Sequence, residues 1–130
     1  MKILGIDYGR KKMGLAMAEG SLAEPLKVIR YEDTRTVAEQ IKKVITENGI
    51  EKVIVGLSEG EMGRESKNFS LSFGEMLDIP VETFDETLST QEAQILSKEA
   101  GIRQKRRHQM EDAYAACIML QNYLDSSHII

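Results

Sequence analysis

Short apolar runs set off by glycine and proline fill the first thirty residues, and the period then changes. Lys2 to Asp7 and Met13 to Ala18 predict two strands joined by a glycine-containing turn, and Leu26 to Tyr31, after Pro25, predicts a third. Three sequential strands suggest an antiparallel meander. Val37, Ile41, Val44 and Ile45 follow a helical period behind the capping-box spacing of Thr36 and Glu39, and Gly49 stops the pattern. The near-continuous apolar run Lys52 to Leu57 predicts a strand covered on both faces, of the kind found inside parallel sheets.

Beyond it, Ser58 to Glu65 lacks periodicity and carries two glycines, which predicts a loop at the carboxyl end of that strand, where active sites are commonly lined. A helix from about Ser66 to Leu77 places Phe69, Phe73, Met76 and Leu77 on one face. Pro80 then leads into a short strand, Val81 to Phe84. Ser89 and Glu92 form a second capping box for a helix through Ala93, Ile95 and Leu96 that Gly101 ends. A final helix from about Gln109 to Leu124 packs Ala113, Ala116, Cys117 and Leu120. Strands alternating with helices predict an α/β domain in which the first, fourth and fifth strands run parallel.

A chain of 130 residues, 42% hydrophobic, has enough apolar material for one core, so a single domain over residues 1–130 is expected. Met1-Lys2 leads straight into the first strand, and the apolar runs fall well short of the roughly 18 residues that span a bilayer. A cytoplasmic protein without membrane association is the expectation. Cys117 is the single cysteine, which excludes an internal disulfide and predicts a buried bystander.

The net charge of −4 argues against a nucleic-acid binder until the charges are placed. Arg10-Lys11-Lys12 lies in the first turn, and Arg103, Lys105, Arg106, Arg107 and His108 form a basic run ahead of the last helix. Such local patches can hold a phosphate backbone. Each run alone reads more simply as a solvated loop. The two histidines, His108 in this run and His128 near the end, are not favoured as catalytic bases.

The carboxylates carry the chemistry. Asp7 ends an apolar strand between Gly5 and Gly9, a position that costs desolvation free energy unless a cation or phosphate-bound metal compensates. Glu86 follows Asp85 just beyond the last strand, and spacing does not decide which of the two points inward. Asp112 falls near the predicted start of the last helix, where an acid also meets the helix dipole favourably. Its neighbours Ala113, Ala115 and Ala116 would let that helix approach the sheet closely. Three acids at one sheet edge repel unless divalent cations hold them. Two Mg²⁺ ions about 4 Å apart would support phosphodiester hydrolysis.

The string Gly5-Ile6-Asp7-Tyr8-Gly9 with Lys11, Gly14 and Ala16, then Val55-Gly56-Leu57, then Asp85-Glu86-x-Leu88-Ser89-Thr90, then Asp112-x-x-Ala115-Ala116, resembles the YqgF family, also called RuvX, over nearly the whole chain. The resemblance implies an RNase H-like α/β fold related to the RuvC resolvases, with a five-stranded mixed sheet in the order 3-2-1-4-5 flanked by helices on both faces. It implies Asp7, Glu86 and Asp112 as catalytic, metal-binding acids for Mg²⁺ or Mn²⁺, two ions in number. It sets Lys11 and the Gly56-Leu57 loop near the scissile phosphate. Two positions depart from the family pattern: Ser58 stands for proline and Thr87 for arginine. Thr87 cannot grip phosphate as an arginine does, so Arg64, or Lys105, Arg106 and Arg107 in the basic run, would supply that charge.

Family members are described both as Holliday-junction resolvases and as nucleases that process the 5′ end of the 16S ribosomal RNA precursor. The RNA role is favoured, because cutting a DNA junction symmetrically requires a homodimer and no sequence feature announces one. A dimer stays open, as does an inert nucleic-acid-binding module. The Gly-Ile-Asp-x-Gly opening also occurs in actin-like and sugar-kinase ATPases, which need a second domain this length does not provide.

Overall fold

The computed structural model describes residues 1–57, 60–85 and 104–127. Within them, three strands lead the chain: β1 (Lys2–Asp7), β2 (Lys12–Glu19) and β3 (Leu22–Arg30). Helix α1 (Thr34–Asn48), strand β4 (Lys52–Leu57), helix α2 (Gly60–Met76), strand β5 (Val81–Asp85) and helix α3 (Gln104–Ser127) follow. The five strands form one sheet in the order β3-β2-β1-β4-β5. β1 pairs antiparallel with β2 and parallel with β4, and β4 pairs parallel with β5. The mixed sheet, its order and the parallel trio agree with the sequence reading.

Helices cover both faces. On one, Leu4, Ile6, Met13, Leu15, Val53 and Val55 meet Val37 and Ile41 of α1 and Phe69 and Phe73 of α2. On the other, Ile3, Ala16, Ala18 and Ile54 meet Ala116, Met119, Leu120 and Leu124 of α3. Successive strand residues point to opposite faces, so β1 and β4, buried on both, carry apolar residues at consecutive positions.

Several boundaries differ from the sequence expectation, each for a local reason. α1 starts at Thr34, because Asp33 is the cap and accepts a 3.0 Å bond from the Arg35 amide through its side chain. The Tyr31 amide donates to the Lys11 carbonyl at 2.9 Å, which fixes the chain beside β2 and makes Asp33 the first strong capping residue after it, ahead of Thr36. β3 begins at Leu22 and contains Pro25, which is tolerated because β3 is an edge strand with a register irregularity opposite, at Leu15/Ala16.

The predicted loop is corrected most. Residues 60–65 belong to α2, whose start combines Gly60 at φ 69° with Glu61 in the first turn. Ser66 and Ser70, polar yet buried, donate their hydroxyls to the Gly63 and Lys67 carbonyls, so the helix absorbs its own polar side chains. Phe69 and Phe73 stack with ring centroids 5.3 Å apart, whereas Met76 is exposed rather than part of the packed face. α3 begins at Gln104, five residues before its expected start, so the basic run enters the helix instead of preceding it. The helix expected between Ser89 and Gly101 lies outside the described residues. No helix among the described residues is long and apolar enough to cross a membrane.

Candidate metal and nucleic-acid site

Asp7 ends β1 in the alternation that carries Ile3 and Gly5, which assigns it to the α3 face. Its cross-strand partners are Gly14 on β2 and Gly56 on β4. Gly14 is where the helix touches the sheet: a Cβ there would lie 1.9 Å from the carbonyl oxygen of Asp112 and 2.8 Å from the amide nitrogen of Ala113. A hydrogen is the largest group this position accepts. Lower on the same helix, a Cβ at Gly5 would lie 3.0 Å from that of Leu120. The two glycines, with Ala113 and Ala116 on the helix, let α3 lie close enough for Asp112 to stand beside the residue paired with Asp7.

Asp112 lies eight residues beyond the first residue of α3, not in its first turn as the sequence suggested. The helix-dipole account of this acid therefore fails, since that effect fades within a turn. Its Oδ2 is shielded from solvent and accepts no hydrogen bond. Lys12, on the Gly14 side of β2, brings Nζ to 3.0 Å from that oxygen, compensating charge without hydrogen-bond alignment. The sequence placed Lys12 in a basic turn but did not single it out as the partner of Asp112. The alternation Lys12-Met13-Gly14-Leu15-Ala16, with polar or small residues on one face, was the signal that could have found it.

The turn after Asp7 is held from two sides. Tyr31 donates its hydroxyl to the Gly9 carbonyl, and burial together with neighbouring Tyr8 pushes its phenol up to about 12. Arg10 reaches across to α2 and donates to Glu65 Oε2 from Nε at 2.9 Å and Nη2 at 2.6 Å, and from Nε to Oε1 at 3.2 Å, with Glu61 at 3.6 Å. The hydrogen bonds of this pair raise the Arg10 guanidinium and hold the Glu65 carboxyl below its ordinary range. Lys11 is exposed in the turn, and Arg64 is exposed on α2. Lys105, Arg106 and Arg107 lie in the first turns of α3, of which the backbone course alone is described.

Asp85 ends β5 opposite Leu57, in the alternation opposite to Glu82 and Phe84, and so falls on the face away from Asp7. Glu86 lies outside the described residues. Among the described residues no group of three or more His, Cys, Asp or Glu could hold a metal. Asp7 and Asp112 are the two expected acids that the fold brings to one place. Hard carboxylate oxygens, one of them shielded and lacking a hydrogen bond, suit Mg²⁺ or Mn²⁺ as ligands. Cys117 is half-buried against the α3 cluster, and burial pushes its thiol up to about 11.

The family described as "RuvX: Holliday junction resolvase" matches residues 1–126. The chain belongs to the RuvX family. A protein of Oceanobacillus iheyensis named "Putative pre-16S rRNA nuclease" is 35% identical, over 96% of this chain and 98% of its own length. One of the same name from Thermoanaerobacter pseudethanolicus is 36% identical, over 97% of each. Among solved structures, Thermus thermophilus RuvC in complex with a Holliday junction substrate superposes with a TM-score of 0.64 at 16% identity, covering 97% of this chain and 96% of that one. The fowlpox virus resolvase bound to Holliday junction DNA gives 0.64 at 15% identity, covering 98% and 99%. These likenesses establish the RNase H-like fold. RuvX proteins are thus hydrolases acting on nucleic acid, built on the scaffold of the RuvC-type resolvases.

Proposed function

We propose that this RuvX protein is a metal-dependent nuclease that hydrolyses phosphodiester bonds in the precursor of 16S ribosomal RNA, with Asp7, Glu86 and Asp112 as its acids. The observation that carries the reading is the contact of Gly14 with the Asp112 backbone, which sets two acids from opposite ends of the chain at one sheet edge. The names of the relatives at 35 and 36% identity support the RNA substrate. Asp85 faces away from Asp7, which makes Glu86 the acid of that pair to test.

Asp7, Asp112 and Glu86 would hold Mg²⁺ or Mn²⁺, two ions in the full site. Bound there, the metal supplies charge stabilisation on the phosphate and a water that is easier to deprotonate. The protein's own part is to hold the acids rigidly. Gly14 fixes the height of Asp112, while Tyr31 and Arg10 fix the turn that follows Asp7. Lys11, Arg64 and the α3 run Lys105, Arg106 and Arg107 would bind the nucleic-acid backbone. The likeness to junction-bound resolvases favours a second reading, cleavage of four-way DNA junctions by a homodimer.

The test is Mn²⁺- or Mg²⁺-dependent cleavage of three substrates, precursor 16S RNA, single-stranded RNA and a four-way DNA junction. Asp7→Asn should lower the rate by about 10³-fold, equivalent to the several kcal/mol a metal contributes, while the fold and nucleic-acid binding persist. Preference for the junction would select the resolvase reading. Binding without cleavage on any substrate would leave an inert nucleic-acid-binding module.

A further inference from the structure

Lys12 stands out among the basic residues of the first turn because it faces inward to an acid. Its ammonium lies 3.0 Å from Asp112 Oδ2. That oxygen is hidden from solvent and has no hydrogen bond. The Asp112 backbone is held in place, its carbonyl pressed against Gly14. Lys12 can withdraw: its side chain is 41% exposed, and its flexible stem can carry the ammonium into water without disturbing β2.

An ammonium and a divalent cation on the same carboxylate oxygen repel, so each weakens the other's hold on it. We propose that Lys12 is a built-in counter-ion that occupies Asp112 in the metal-free protein and competes with the divalent cation for it, thereby setting the metal affinity of the site. The inference rests on Asp112 being a metal-holding acid, as proposed above. It accounts for the placement of a cation against a shielded carboxylate oxygen that accepts no hydrogen bond. It also makes Lys12 mobile when metal arrives, adding a cation at the mouth of the site.

Mn²⁺ binding to the full chain, measured without nucleic acid by calorimetry and by the electron paramagnetic resonance of the free ion, tests this. Lys12→Met should bind Mn²⁺ about tenfold more tightly than the wild type, the size expected from removing one partly shielded ion pair. Lys12→Arg, which keeps the charge, should stay near the wild type. Saturating Mn²⁺ should raise the melting temperature of Lys12→Met by more than that of the wild type. Where the Met variant does not melt cooperatively, Lys12→Gln takes its place. Unchanged or weaker Mn²⁺ binding in a cooperatively folded variant overturns the competition and leaves Lys12 a structural partner. Asp112→Asn separates this failure from that of the underlying reading: if it binds Mn²⁺ as the wild type does, Asp112 holds no metal and the nuclease site itself is misassigned.

Discussion

The two faces of the sheet are filled by different means. Against α1 and α2 the sheet presents Leu4, Ile6, Met13 and Leu15, and the helices answer with Ile41, Phe69 and Phe73, so depth of apolar packing is what that face provides. Against α3 it presents Gly5, Gly14, Ala16 and Ala18, and the helix answers with Ala113 and Ala116. Small side chains contribute little apolar area, so near the acids this face gives up burial for proximity, while Ile54, Met119 and Leu120 fill the rest of it. What proximity achieves is visible at one end, where Asp112 meets the partner of Asp7. One face is built for stability and the other for the placement of acids.

Substitutions of matched burial on the two faces should separate these roles most sharply. Phe73→Ala removes a fully buried ring from the α1/α2 face and should cost about 3–5 kcal/mol of stability, read by denaturant unfolding. Cleavage per folded molecule should stay near that of the wild type. Gly14→Ala should do the reverse. A methyl 1.9 Å from a backbone carbonyl must displace α3, and a site misplaced by about 1 Å can lose on the order of 10²-fold in rate. Its stability cost should be lower, about 1–3 kcal/mol as for other overpacked positions. Full cleavage by Gly14→Ala would reduce the small-residue face to ordinary packing.

A weaker effect should appear at high pH. Burial and Tyr8 raise the Tyr31 phenol from 10 to about 12 in the folded chain, so between those values the unfolded chain loses the proton first. Stability is therefore fully held below about pH 10 and declines as the pH rises toward 12. Tyr31→Phe should flatten that decline in melts across this range. It should also loosen the turn after Asp7 by removing the bond to Gly9. A melting profile unchanged by the substitution would show that Tyr31 fills space and does not pin the turn.

The parts of this arrangement that follow from side-chain period were legible in the sequence. β4 runs from Lys52 to Leu57, and its near-continuous apolar run indicates cover on both faces, while the strand order was expected from the family resemblance. Helix starts were not, because capping residues compete. Asp33 and Thr36 both suit a cap, and the Tyr31 to Lys11 bond, invisible in one dimension, decides between them. Residues 60–65 read as a loop because glycine and charge carry no helical period, yet Arg10, some fifty residues upstream, stitches Glu65 into a helix. At the site, Asp7 and Asp112 were legible as residue types. That Lys12 answers Asp112, and that Gly14 sets the helix height, depends on contacts across about 100 positions of sequence.

The Arg10–Glu65 pair should produce the smallest effect, and a local one. Both side chains are exposed, so despite its bidentate geometry the pair should change global stability little. What it controls is the first turns of α2, which begin at Gly60 and reach the Asp7 turn through this contact and Glu61. Glu65→Gln should speed amide exchange over residues 61–65 within about threefold at neutral pH, while amides near Phe73 keep wild-type rates. Because Arg10 holds the Glu65 carboxyl below its ordinary value, the stabilisation is present above that value and is lost as the pH falls through the lowered one. Wild type and Glu65→Gln should therefore converge only in acid buffer below the ordinary carboxylate range. Exchange spreading to the whole of α2 would instead make this exposed pair a support of the α1/α2 core.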